Sequence, residues 1–540
     1  MNTEYQIQDL DHLGIVSGIC DQIGLVEIID EYIGPQKRKV SVGTAVKAMI
    51  LNGLGMSSRH LYLTPEFYSN KPTELLLGKG ILPEDLNDDS LGRALDILFE
   101  KGLSNIFALI SNIACDTFNI STSSVHMDTT SLSLSGEYSE EEENAVHITY
   151  GHSKDKRPDL KQVIIGLICA YKTKIPLFFK SFDGNANDNK SFVSMIQDFV
   201  GQLKEGESFP RVIADSAMYT ENILSRLPKD MLFVSRVPAT LSQVKKCIAQ
   251  ADAKSMTLCS DPRYRYQWHN SDYAGIPQSW LLLRSQPAFL SAKKSLDKRI
   301  EKDKVSAEKR LRAHARRRFG CHKDAEESLR SLEKPLRYHK PQLRAVLEHK
   351  KYSKAGNPGK NAQPILTYSV QTELFRDEEA IEQASQRLGF FVLSTNEVGE
   401  ERPDADSLLS DYKSQSSSIE TGFRFIKDPM FFADALYLKK PSRIMSLTMI
   451  MSLCLLVYAL AEDWLRSQLL LNNETLPNQV GKQTNRITIR RVFQMFEGIH
   501  LLSIHVSGHV HRQVSNLNDV HKQILRLLGP LCQQPYLLSG

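Results

Sequence analysis

Residues 124–134, SVHMDTTSLSL, set the period of the central part of the chain. Val125 and Met127 alternate with His126 and Asp128, so an extended strand places the two apolar side chains on one face and His126 with Asp128 on the other. Aspartate disfavours strands, so Asp128 marks either a strand end or a position held for its chemistry. A second run, RVIADSAM at 211–218, is apolar up to Asp215. A buried strand there delivers a carboxylate to the carboxyl edge of a sheet, where ligand crevices of α/β folds lie. The competing expectation is that Asp215 caps the helix that follows.

Working outward, residues 162–170 and 174–182 (split by Pro176) read as strands, and 390–393 as a further buried strand. Helices are expected at 190–203 and 219–227, and strands followed by helices in this order give an α/β core. Residues 1–115 read as short amphipathic helices, one over 43–54 and another through 91–99 capped by residues 88–90. No long alternating strand is expected there. Residues 239–389 differ in composition. Short strands around 264–268 and 280–284 precede a polar helical stretch, 293–318, with 12 basic and 4 acidic residues, a local net of +8. The turn-rich SKAGNPGK at 353–360 breaks this region, and the chain from 407 onward reads as helical again. The expected segments are therefore 1–115 (helical), 116–238 (first part of the core), 239–389 (inserted subdomain), 390–470 (second part of the core) and 471–540 (helical).

Composition limits the function classes. The 540 residues carry a net charge of only +4, so a nucleic-acid contact must rest on local charge. Eight cysteines without a C-x-x-C pair point to reduced thiols, with neither a disulfide framework nor a zinc site. The start, MNTEYQIQDLDHLG, lacks the basic and apolar regions of a secretion signal. Residues 444–461, IMSLTMIMSLCLLVYALA, approach the length of a membrane span but carry Ser, Thr and Tyr beside a charged flank, and read as a buried core helix. A cytoplasmic protein without membrane contact is expected.

A third carboxylate stands in YKSQSSSIETGFRFIKDP, 412–429. Ile419, Phe423 and Ile426 make one apolar helical face, and Glu420, Arg424 and Lys427 form the adjacent stripe. By itself that stripe reads as a surface ion-pair ladder. The order strand Asp, strand-end Asp, helix Glu has a chemical meaning. In-line displacement at a phosphodiester uses two metal ions about 3.5–4 Å apart, and such ions take oxygen ligands from few carboxylates.

The chain resembles bacterial insertion-sequence transposases of the DDE class, more narrowly the branch whose ribonuclease-H-like, retroviral-integrase-like core is interrupted between the second Asp and the Glu. The resemblance runs in order through VSVGTAVKAMILNGLGMSSRHLYL (40–63), HMDTTSLSLSG (126–136), GHSKDKRPDLKQV (151–163), DGNANDN (183–189), VIADSAMYTENIL (212–224), IETGFRFIKDP (419–429) and TNRITIRRVFQMFEGIHLL (484–502). It implies that Asp128, Asp215 and Glu420 are catalytic and hold Mg²⁺ or Mn²⁺, two ions in all. It implies cleavage of the ends of an element and joining of the 3′-hydroxyls to target DNA. The partners it implies are duplex DNA (terminal inverted repeats and target) and a second copy of the chain on DNA, nucleoid-associated when bound. The alternatives are a nuclease of the same fold without strand transfer and a catalytically silent DNA-binding derivative.

The family also carries Tyr, Arg and Lys around the Glu as a grip on phosphates. Lys427 stands seven after Glu420 as expected, whereas the Tyr position is Lys413 (Tyr412 is displaced by one) and the Arg position is Ser416. Further DNA-binding candidates in this context are Arg424, the loop residues Lys154, Lys156 and Arg157 (alternatively a solvated hairpin tip), and Trp268, since related enzymes place an aromatic residue in the insertion to stack on a displaced base. Trp268 and Trp280 both read more simply as core, and His126 and His152 as structural histidines. The N-terminal helices are the expected reader of the element's ends.

Overall fold

The computed structural model describes residues 3–56, 61–138, 142–203, 208–329, 336–352, 363–428, 438–506 and 509–537. Nine strands join in one sheet: β1 (Ser124–Leu134), β2 (Lys161–Ala170), β3 (Pro176–Phe182), β4 (Arg211–Ala214), β5 (Phe233–Val237), β6 (Thr257–Leu258), β7 (Tyr264–Ser271), β8 (Gln278–Ser285) and β9 (Phe390–Thr395). Their order across the sheet is β3-β2-β1-β4-β5-β9-β8-β7-β6. β1 runs parallel to β4 and β4 to β5. The remaining neighbours are antiparallel.

Alternation along these strands sorts two cores. Val125, Met127, Val212 and Ala214 face the main apolar core. Ile213, Val234, Leu281, Leu283 and Leu393 face a smaller cluster closed by Ala405, Leu408 and Leu409 of helix Ala405–Ile426. That helix packs across β2, β1, β4 and β5. The strands expected in the inserted region belong to the same sheet: β9 pairs with β5 on one side and β8 on the other. The rest of the insertion builds its own small core. Helix Gln286–Ala315, the hairpin His339–Lys351 with Ile365–Arg376, and helix Glu378–Gln386 meet around Leu296, Ile300, Tyr338 and Ile381.

Helix Pro441–Leu471 is the hub of the main core. Its most apolar 18-residue window has a mean hydropathy of 2.2 and is 94% buried in the protein. It touches helices Leu13–Ile23, Val42–Leu54, Asp88–Lys101, Leu103–Phe118 and Asp519–Leu528 as well as β3. The two ends of the chain thus share a core with the sheet. Where helix Leu13–Ile23 meets Pro530–Gln533, a Cβ at Gly18 would lie 2.6 Å from the Cys532 Cα, so only glycine permits the approach.

Two local expectations are corrected. The cap of helix Asp88–Lys101 is Asn87, whose side chain accepts from the Ser90 N–H at 2.9 Å, and Asp88 and Asp89 occupy the first turn. The ends are also not wholly helical. Thr3–Asp9 pairs antiparallel with His500–Val506, which pairs with His509–Ser515. TEYQIQD alternates, but Tyr5 and Ile7 remain 66% and 59% exposed. A half-solvated strand whose partner lies about 500 residues away carries little pattern of its own.

Candidate active site

The parallel register decides the geometry. Met127 of β1 aligns with Ala214 of β4, and Ala214 aligns with Ser235 of β5. The next row across these strands is therefore Asp128, Asp215 and Arg236, with neighbouring strands about 4.8 Å apart. All three share the parity of His126, Ile213 and Val234, so they lie on the face covered by helix Ala405–Ile426. β4 ends at Ala214, which leaves Asp215 just past the carboxyl end of its strand. There its Oδ1 accepts from the Ala217 N–H at 2.8 Å and its carbonyl from Ser235 Oγ at 2.8 Å. Asp215 thus closes a turn and, against the simpler expectation, does not cap the helix that follows; Thr220 caps that helix by accepting from the Ile223 N–H at 3.3 Å.

Several contacts fix the helix over this row. Arg211 at the start of β4 donates to Asp411 at 3.3 Å and also bonds Glu397. Tyr171 donates to Asp411, and His126 Nε2 lies 3.0 Å from Ser414 Oγ. Burial lowers the His126 pKa to about 4, so the ring is neutral near pH 7. Between Asp411 and Ser414 on the helix, Tyr412 is partly buried. Burial raises its hydroxyl pKa, Arg236 opposes that, and the carboxylates of Asp215 and Glu420 add to it. The Tyr412 hydroxyl thus feels the charges of both Asp215 and Glu420. Ile419, Phe423 and Ile426 are buried as their spacing requires, and Glu420 is exposed beside them.

Among the described residues the expected ladder on that stripe does not form. Lys427 turns away from Glu420 to Asp155, at 2.5 Å, and Arg424 donates to Thr421 Oγ1 at 3.2 Å. The loop that holds Asp155 also brings Lys154 to Asp128: the ammonium is 3.7 Å from Asp128 Oδ1 and donates to the Thr129 carbonyl at 2.6 Å. Arg157 and Lys156 part company with Lys154. Arg157 makes a bidentate pair with Asp159, and Lys156 is exposed. Trp268 on β7 is partly buried in the smaller cluster, and the Arg402 guanidinium covers its ring at 4.4 Å. Trp280 is buried and donates to the Tyr219 hydroxyl at 3.0 Å, as core residues do. Among the described residues no three His, Cys, Asp or Glu side chains close around a metal position.

The Transposase DDE domain family matches residues 122–457, from just before β1 to within helix Pro441–Leu471. The chain belongs to the DDE transposase family. Residues 5–112 match a domain of unknown function, DUF4277. No curated protein matches the sequence. Among solved structures, a piggyBac transposase synaptic complex with hairpin DNA is similar at 8% identity and a TM-score of 0.36, covering 91% of this chain and 82% of that one. As a DDE transposase the protein is an enzyme acting on DNA, in a family that uses divalent metal ions. Its matched span includes the whole Asp128–Asp215–Arg236 row and helix Ala405–Ile426.

Sequence reading missed Arg236, Arg211 and the direct contact of Lys154 with Asp128. A lone Arg within the strand FVSRV carries no signal; only the alignment of three strands gives Arg236 its place.

Proposed function

We propose that Asp128, Asp215 and Glu420 hold two Mg²⁺ or Mn²⁺ ions in a ribonuclease-H-like core, and that the transposase cleaves the ends of its element and joins the 3′-hydroxyls to target DNA. The carrying observation is the placement of Asp128 on β1 and of Asp215 just past the carboxyl end of the adjacent parallel strand β4, beneath the helix that bears Glu420. The donor set fits: carboxylate oxygens suit hard divalent ions, and Glu420 is exposed on its helix, so its side chain can turn toward the pair. The ions would stabilise charge on the attacking and leaving oxygens at phosphorus. The protein's own part is to hold the two aspartates at fixed register, to anchor the helix through Asp411 and Ser414, and to set Lys154 against Asp128.

DNA contact beyond the centre is assigned to local charge. Residues 293–318 carry +8 while the chain carries +4, so everything else is net negative. Helix Gln286–Ala315 buries Leu296, Ile300, Ala307 and His314 and exposes Lys298, Arg299, Lys309 and Arg310, a face suited to phosphates. The helices before residue 115 are assigned to the element's ends, and two copies to the synapsed pair, in a cytoplasmic setting. Lys427 reaches DNA only by leaving Asp155, and base stacking on Trp268 needs Arg402 displaced.

The test is strand transfer of end-bearing DNA into a plasmid with Mg²⁺. Joined product from wild type is expected. Cleavage without joining would favour a nuclease, and binding without either a silent derivative.

A further inference from the structure

Arg236 is exposed, and it stands in the same row as two carboxylates, yet among the described residues it pairs with no Asp or Glu. Its guanidinium sits 5.5 Å from the centre of the Phe391 ring, which braces it from the β9 side. Tyr412 packs in the same apolar cluster as Phe391, and its hydroxyl interacts with the guanidinium. A guanidinium has five N–H donors in a rigid fork that matches phosphate oxygens. Here most of that fork is unused and faces the side of the sheet where the catalytic helix crosses. The row thus reads cation, carboxylate, carboxylate, cation: Lys154 against Asp128 at one end and Arg236 beside Asp215 at the other.

We propose that Arg236, braced by Phe391 and with the Tyr412 hydroxyl as a neutral second donor, is a binding site for one backbone phosphate of the DNA end next to the scissile bond. The inference rests on the assignment of the active site to this row. It adds a contact supplied by a strand, at the Asp215 side, distinct from the cations on the helix and the loop. The rival explanation is that Arg236 serves only to offset the charge of Asp215. The two differ in what the loss of the guanidinium does: the first removes a phosphate contact, the second lets Asp215 attract a metal more strongly.

The test compares wild type with Arg236→Ala and Arg236→Lys on a linear duplex ending in the inverted repeat that flanks the coding sequence. Binding is read first without divalent ions, across 50–200 mM salt, and then with single neutral methylphosphonates at each terminal phosphate. Arg236→Ala is expected to flatten the slope of log affinity against log salt by about 0.9, which over that range is about a 3.5-fold smaller loss of affinity. One methylphosphonate should weaken wild type and leave Arg236→Ala unaffected, while Arg236→Lys keeps the salt slope. The Mg²⁺ concentration for half-maximal cleavage should be unchanged in Arg236→Ala. An unchanged salt slope, with sensitivity to every methylphosphonate kept as in wild type, overturns the proposal. A lowered Mg²⁺ requirement with an unchanged slope also overturns it and makes Arg236 a partner of Asp215 alone. Wild type that binds this duplex and never cuts it would count against the active-site assignment and leave the Arg236 comparison readable.

Discussion

Helix Pro441–Leu471 and helix Ala405–Ile426 each carry a glutamate, and the two have opposite surroundings. Glu462 is 4% exposed; it accepts from Lys174 at 2.9 Å, lies 3.0 Å from Arg466, and takes the Ile489 N–H at 3.1 Å. Both carboxylate oxygens that burial takes from water are answered from within the protein, as a buried charge requires. Glu420 is exposed, two helical turns (about 10.5 Å) before a lysine that bonds elsewhere. The first carboxylate belongs to the fold. The second, among the described residues, has no ion pair with a protein cation, which is the condition a ligand carboxylate needs.

Mutations can break or sharpen this contrast. Glu462→Ala should cost about 3–5 kcal/mol, because it strands Lys174 and leaves the Ile489 N–H unsatisfied. Urea unfolding that shows a loss below about 1 kcal/mol would remove the distinction between the two helices. Acid should act next. Burial lowers both His12 and His126 from 6.5 to about 4, so the fold favours their neutral rings. Their contribution is full above pH 6.5 and is lost as the pH falls toward 4, because the unfolded chain takes up the protons first. A melting temperature that stays flat over that interval would contradict the assignment. Asp96→Ala removes a bidentate pair with Arg443, at 2.7 Å for each bond, that ties helix Asp88–Lys101 to the hub, and should cost about 1.5–3 kcal/mol. Glu420→Gln should change stability least, within about 0.5 kcal/mol; a larger loss would make Glu420 structural.

The same contrast explains what could be read before folding. The strands at 124–134 and 211–214 were legible because alternation and a short apolar run are local signals, and helix Ala405–Ile426 because Ile419, Phe423 and Ile426 repeat at its period. The sheet Thr3–Asp9 with His500–Val506 was not, since its pairing spans nearly the whole chain and its outward face is solvated. In the site, the three carboxylates could be proposed from their order. The departures at Lys413 and Ser416 were visible too, but not that the Tyr412 hydroxyl feels the charges of Asp215 and Glu420. The place of Arg236 emerges only from register across three strands, and the grip of Lys154 on Asp128 only from the path of a loop. Lys427 looked like a partner for Glu420 or DNA; folding gave it Asp155.

The central claim is that the Asp128–Asp215 pair and Glu420 act as one metal-dependent centre. Its most direct test is single-turnover, Mg²⁺-dependent cleavage of an end-bearing duplex by Asp128→Asn, Asp215→Asn and Glu420→Gln, with DNA binding and melting temperature measured on the same preparations. The account predicts that all three variants fold and bind DNA while cleavage falls below detection in each. Cleavage at the wild-type rate by any one of them would contradict it.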